Sequence, residues 1–130
     1  MSTMQSSTVL IAEDDRFICD LLIEALHEEG YSAECLLDAP SVLARLDGGN
    51  VCLMLVDLLM PGQDGLSIIR QVAAEGASVP IVAMSASDLH LAEAVAAGAT
   101  STLAKPFELD EVLAVVAQHC DARDAPQIAS

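Results

Sequence analysis

The sequence predicts one α/β domain with a parallel sheet covered by helices on both faces. Three observations carry that prediction. Short runs rich in β-branched or aliphatic residues alternate five times with stretches whose apolar residues recur every three or four positions. The connections are short, and no change of composition marks a second unit. The run over 51–56 is apolar without interruption, as a strand buried on both faces requires.

The first strand is expected over 8–12 (TVLIA), ending at Glu13, Asp14 and Asp15. From 16 to 29 the pairs Phe17/Ile18, Leu21/Leu22 and Ala25/Leu26 recur every four residues, which predicts an amphipathic helix that Gly30 ends. Residues 31–36 read as the second strand and 40–46 as a short helix closed by Gly48 and Gly49. After the strand over 51–56 comes Asp57, then a loop in which Pro61 and Gly62 turn the chain. Asp64 is placed to cap the next helix, striped by Leu66, Ile69, Val72 and Ala73 and ended by Gly76. Residues 80–84 give a fourth strand, and 88–97 a helix with Leu91, Ala92, Val95 and Ala96 inward. A short fifth strand over 101–104 leads through Lys105, Pro106 and Phe107 to a last helix striped by Leu109, Val112, Leu113, Val116 and Cys120. The domain is expected to span 8–121, between a disordered N-terminus (1–7) and a flexible tail or linker start (122–130).

Composition narrows the function. Apolar residues make up 53% of the chain, but Phe17, Tyr31 and Phe107 are its only aromatics, so the core must be aliphatic. Twenty acidic residues against five basic ones give a net charge of −15. Affinity for nucleic acid and anionic membranes rests on lysine and arginine, so neither is an expected partner. No apolar run reaches the ~18 residues of a membrane span, and no basic-then-apolar leader opens the chain. Cys19, Cys35, Cys52 and Cys120 are widely spaced, without a Cys-x-x-Cys, and are expected to be reduced core residues of a cytoplasmic protein.

In a parallel sheet of this kind, binding residues gather at the C-terminal ends of the strands. Glu13, Asp14 and Asp15 follow the first strand, Asp57 the third, Ser85 and Ala86 the fourth, and Lys105, the only lysine, the fifth. Each alone has an ordinary explanation: Asp15 as a helix cap, Ser85 as a strand-end hydroxyl, Lys105 as a solvated charge. Together they put four carboxylates, a hydroxyl and an ammonium on one rim. Clustered carboxylates raise one another's pKa unless a cation intervenes, and oxygen donors favour a hard divalent ion. An ionised Asp57 can then act as a nucleophile toward phosphorus, with Lys105 and the cation neutralising charge and Ser85 donating to a phosphoryl oxygen.

These residues resemble the receiver domain of two-component response regulators. Five motifs carry the likeness in order: the acidic EDD at 13–15, D-x-x-M-P-x-x-D-G from Asp57 to Gly65, Ser85 with Ala86, A-G-A at 97–99, and K-P-F at 105–107. The resemblance covers about 8–120 and implies a flavodoxin-like, doubly wound (βα)5 fold with strand order 2-1-3-4-5. It implies that Asp57 accepts a phosphoryl group from a sensor histidine kinase or a histidine phosphotransfer protein. Mg2+ (or Mn2+) would be held by Glu13 through water, and by Asp14, Asp57 and the backbone carbonyl of Leu59 directly. Ser85 and Lys105 would bind the phosphoryl oxygens, the Lys105–Pro106 peptide would be cis, and Ser85 and Thr102 would form the switch. The signal would leave through the face of the fourth helix, fifth strand and fifth helix to a downstream protein. Such a domain is not an enzyme beyond its own phosphoryl transfer and dephosphorylation.

The chain departs from that family at Thr102, where an aromatic is common, and Ser85 to Lys105 is about two residues shorter than usual. Leu59, two residues beyond Asp57, cannot orient an attacking water, which implies slow dephosphorylation. A phosphorelay intermediate or phosphate sink shares the same chemistry. An Mg2+-dependent phosphohydrolase would need an acid where Leu59 stands. A flavin-binding protein would need a phosphate loop where EDD would repel phosphate.

Overall fold

The computed structural model describes residues 7–60 and 63–120. The turn expected at Pro61 and Gly62, residues 1–6 of the disordered N-terminus expected over 1–7, and the tail expected over 122–130 lie outside the described residues. Five strands, β1 (Thr8–Ala12), β2 (Ser32–Leu36), β3 (Val51–Asp57), β4 (Ile81–Ser85) and β5 (Ser101–Ala104), alternate with five helices. These are α1 (Arg16–Glu28), α2 (Ala39–Asp47), α3 (Gly65–Ala74), α4 (Asp88–Ala97) and α5 (Leu109–Cys120). The strands pair in parallel in the order β2-β1-β3-β4-β5, as the resemblance implies. A separate two-residue antiparallel pair, Leu59–Met60 with Gln63–Asp64, stiffens the loop between β3 and α3.

The sheet divides the core in two, because successive side chains along a strand point to opposite faces. Leu10, Ala12, Met54, Val56 and Ala83 pack with Val42, Ile68, Ile69, Leu91 and Ala94 from α2, α3 and α4. Val9, Ile11, Leu53, Leu55, Val82 and Met84 pack with Leu22, Leu26, Val112 and Val116 from α1 and α5, where Tyr31 is also buried. Helix starts are fixed by polar caps that satisfy otherwise orphaned amides. Asp15 Oδ1 accepts from Phe17 and Ile18 N–H at 2.9 and 3.3 Å. Asp38, Asp64 and Ser87 do the same for α2, α3 and α4. Ser87 thus sets the start of α4 in the shortened segment.

Two expectations are corrected. In α4, Leu91 and Ala94 turn inward, whereas Ala92, Val95 and Ala96 are exposed. The helix is apolar nearly all round, so its sequence carries little directional pattern. The cysteines are also not reduced: Cys19 pairs with Cys35 and Cys52 with Cys120 as disulfides, leaving no free cysteine. Their spacings of 16 and 68 residues hide the proximity, which arises only when α1 packs on β2 and the end of α5 meets the start of β3.

Candidate functional site

The chain reverses its direction across the sheet between β1 and β3, and the crevice beyond such a pair is where α/β sheets place their ligands. Alternation decides which side chains reach it. Val9 and Ile11 in β1, and Leu53 and Leu55 in β3, face α1 and α5, and the next members of those two series are Glu13 and Asp57. Leu103 of β5 faces the same side and is followed in series by Lys105. Both carboxyl groups are buried, with Glu13 2% and Asp57 3% exposed. Above them an open cavity of about 410 Å³ is lined by Glu13, Asp14, Asp15, Asp57, Leu59 and Lys105.

Asp57 is not stranded. Its Oδ1 lies 3.2 Å from Lys105 Nζ and accepts the Leu59 amide at 3.1 Å. This pair of a half-buried lysine and a buried acid is held by charge-assisted contact, and deleting Lys105 leaves an uncompensated buried charge. Glu13 is less well served: its Oε2 accepts the Asp15 amide at 3.0 Å, while Oε1 is buried without a partner. Burial pushes the Glu13 carboxyl up to about 7, with the neighbouring Asp57 charge adding to the effect and the Asp15 amide and Lys105 opposing it.

An orphaned carboxyl oxygen beside a second buried carboxylate is an arrangement that a cation resolves. Glu13, Asp14 and Asp57 offer only hard oxygen donors at the cavity wall, which fits Mg2+ or Mn2+. Among the described residues, however, no three His, Cys, Asp or Glu side chains are drawn around one point. Asp15 is committed to capping α1, and Asp57 to Lys105. Holding a cation would therefore require these carboxylates to rotate inward.

Ser85, 3% exposed, ends β4, and its Oγ accepts the Ser87 amide at 3.0 Å. The Lys105 amide donates to the Ser85 carbonyl at 2.9 Å, so the hydroxyl and the lysine share one backbone junction. The Lys105–Pro106 peptide is cis. Thr102 pairs with Ala83, two rungs further from the rim than the Ser85–Ala104 pair, and is half-buried. The structure thus brings Glu13, Asp14, Asp57, Leu59 and Lys105 into one cavity, sets Ser85 beside it, and leaves Thr102 behind it. Leu59 presents its amide to Asp57 while its side chain is 71% exposed.

Gly65 is a participant the motif did not explain. As the first residue of α3 it packs against the backbone of Asp57 and Leu58, and a Cβ there would overlap the Asp57 carbonyl oxygen. A glycine opening a helix just after a strand-end acid is the signal that could have identified it.

Comparisons with known proteins bear on the family and the fold. Residues 9–117 match the model of the response regulator receiver domain. The chain is 33% identical over 110 residues to the sensory transduction protein RegX3 of Mycobacterium tuberculosis strain H37Rv, covering 83% of this chain and 48% of that protein. It is 36% identical over 112 residues to the response regulator MprA of Mycobacterium bovis BCG, covering 84% and 48%. It therefore spans about half the length of the curated relatives it matches. The receiver domain of Francisella response regulator 1452 superposes with a TM-score of 0.80 at 25% identity, covering 90% of this chain and 98% of that one. The chemotaxis protein CheY4 of Vibrio cholerae shares the fold, with a TM-score of 0.79 at 24% identity over 88% and 99% of the two chains.

Proposed function

The chain belongs to the response regulator receiver domain family, and from that premise we propose that Asp57 accepts a phosphoryl group from a sensor histidine kinase or histidine phosphotransfer protein. The observation that carries the reading is the buried Asp57 carboxylate held by the only lysine, in a cavity walled by three further acids, Glu13, Asp14 and Asp15. Lys105 and the Leu59 amide both engage Oδ1, which leaves Oδ2 as the oxygen we assign to attack on phosphorus. The new O–P bond forms as the N–P bond of a phosphohistidine breaks, and the imidazole nitrogen keeps the electron pair. Lys105 then moves its charge from the carboxylate to a phosphoryl oxygen, and Ser85, whose Oγ accepts the Ser87 amide, donates its hydroxyl proton to another. Glu13, Asp14, Asp57 and the Leu59 carbonyl would hold Mg2+ or Mn2+, and such a cation would supply the remaining charge neutralisation.

Ser85 and Lys105 meet at one backbone junction, so both responses strain the same end of β4 and β5. That displacement reaches the α4–β5–α5 face, where α4 exposes Leu89 and Val95 to a downstream protein. Thr102 lies on β5 itself, two rungs from the Ser85–Ala104 pair, and with Ser85 it forms the switch in this reading. The domain acts as a signalling element whose only chemistry is its own phosphoryl transfer and loss.

Incubation with Mg2+ and a small phosphodonor is expected to add one phosphoryl group to the wild type and none to Asp57→Asn by intact-mass spectrometry. Equal labelling of the two proteins would refute the assignment.

A further inference from the structure

We propose that Cys19–Cys35 is a thiol–disulfide exchange site, reducible by a dithiol, that sets how firmly the adjoining Glu13–Asp14 segment grips a divalent cation. This rests on the cation reading above and adds a regulatory input to it. The bond joins the first turns of α1 to β2. It lies on a cavity of about 410 Å³ whose wall includes Glu13, Asp14, Arg16, Asp20, Cys19 and Cys35. Glu13 and Asp14 also line the cavity above Asp57, so the two spaces share a wall.

Both oxidation states of Cys19 have a partner in place. Its sulfur lies 3.4 Å from the Glu13 backbone carbonyl, inside the buried core. A disulfide sulfur has no proton to give, so that contact becomes a hydrogen bond only when Cys19 is a thiol. Oxidised, α1 is tied covalently to β2. Reduced, it is released from β2 and hydrogen-bonds instead to the backbone that carries Glu13 and Asp14. The change therefore acts on the acid segment itself.

Exposure orders the chemistry. Cys35 is half-buried and Cys19 is buried, so the attacking thiolate reaches Cys35 first. A mixed disulfide forms at Cys35, the Cys19–Cys35 bond breaks, and Cys19 leaves with the electron pair and takes a proton. The second thiol of the reductant, losing its proton, then displaces Cys35 as a thiolate, which is protonated in turn. Two electrons pass from the dithiol to the protein, and the reductant leaves as a disulfide. The acids around the cavity disfavour anionic reductants, so an uncharged dithiol is the fitting class. The covalent tie preorganises the first turn of α1, and the oxidised form is expected to bind the cation more tightly.

The protein is equilibrated in graded mixtures of reduced and oxidised dithiothreitol, then alkylated, and each cysteine peptide is quantified by mass spectrometry. Cys19 and Cys35 are expected to open together, reversibly, and before Cys52 and Cys120. Mg2+ affinity is then measured by calorimetry on the oxidised protein, on the protein with this bond reduced, and on Cys19→Ser/Cys35→Ser. Oxidised protein should bind at least about threefold more tightly than the other two. Wild-type protein in the two redox states keeps the comparison valid if the double variant does not fold. Opening after Cys52–Cys120, or equal and measurable affinities in the two states, would overturn this proposal and leave the cation reading intact. Failure of both states to bind Mg2+ would overturn the two together.

Discussion

Replacing Gly65 with alanine sets two opposed effects against each other, and the structure says which wins. Helix propensity alone favours alanine over glycine by about 1 kcal/mol. The added Cβ, however, would lie 2.8 Å from Leu58 Cα and 3.0 Å from the Asp57 carbonyl carbon, and would overlap the Asp57 carbonyl oxygen. All three are backbone atoms in a buried strand end, so no side chain can rotate to make room. Relief needs α3 or the end of β3 to shift by a sizeable part of an ångström, a kind of overpacking that costs about 1–3 kcal/mol or more. Net destabilisation of about 1–2 kcal/mol is expected in urea melts, together with slower labelling of Asp57 by a small phosphodonor. A neutral or stabilised Gly65→Ala with unchanged labelling would show that α3 does not brace Asp57 in this way.

Glu13 provides a pH test. Its carboxyl is raised from 4.5 to about 7 by burial above all, so between those values the folded protein holds a proton that the unfolded chain has released. Its contribution is fully present below pH ~4.5 and is lost as pH rises through ~7. At 1.36 kcal/mol per unit the shift corresponds to roughly 3 kcal/mol, and the open rim reduces this to about 1–2 kcal/mol. Melts without divalent cation at pH 5 and 8 should therefore differ less for Glu13→Gln than for wild type; parallel curves would discount the group. Mg2+ should raise the melting temperature of the wild type, and Asp14→Ala should remove most of that rise. A rise that survives the substitution would exclude Asp14 as a principal ligand.

Strands and site were legible for different reasons. The five strands stand out as compact apolar runs, and the rim residues follow from the rule that ligands bind at strand ends. Asp57 could be singled out because an unpaired acid beside a buried strand is costly, and Lys105 because no other lysine was available to answer it. The inward face of α4 was hidden by its uniformly small, apolar composition. The disulfides were hidden because a spacing of 16 or 68 residues says nothing about two cysteines until helix and strand have packed. Gly65 was visible as a letter but not as a contact, since its reason lies in the backbone of a residue eight positions earlier.

Viewed as a covalent graph, the chain holds two closed rings in series, residues 19–35 and 52–120, joined through α2. Because the rings share no residue, their constraints on the unfolded chain add without interference, at about 3 and about 4 kcal/mol in the loop-entropy account. Asp57, Ser85 and Lys105 all belong to the larger ring, while Glu13 and Asp14 lie outside both. The Asp57, Ser85 and Lys105 half of the rim is thus kept at high effective concentration even in an opened chain, whereas the acid pair must find its place anew each time β1 docks.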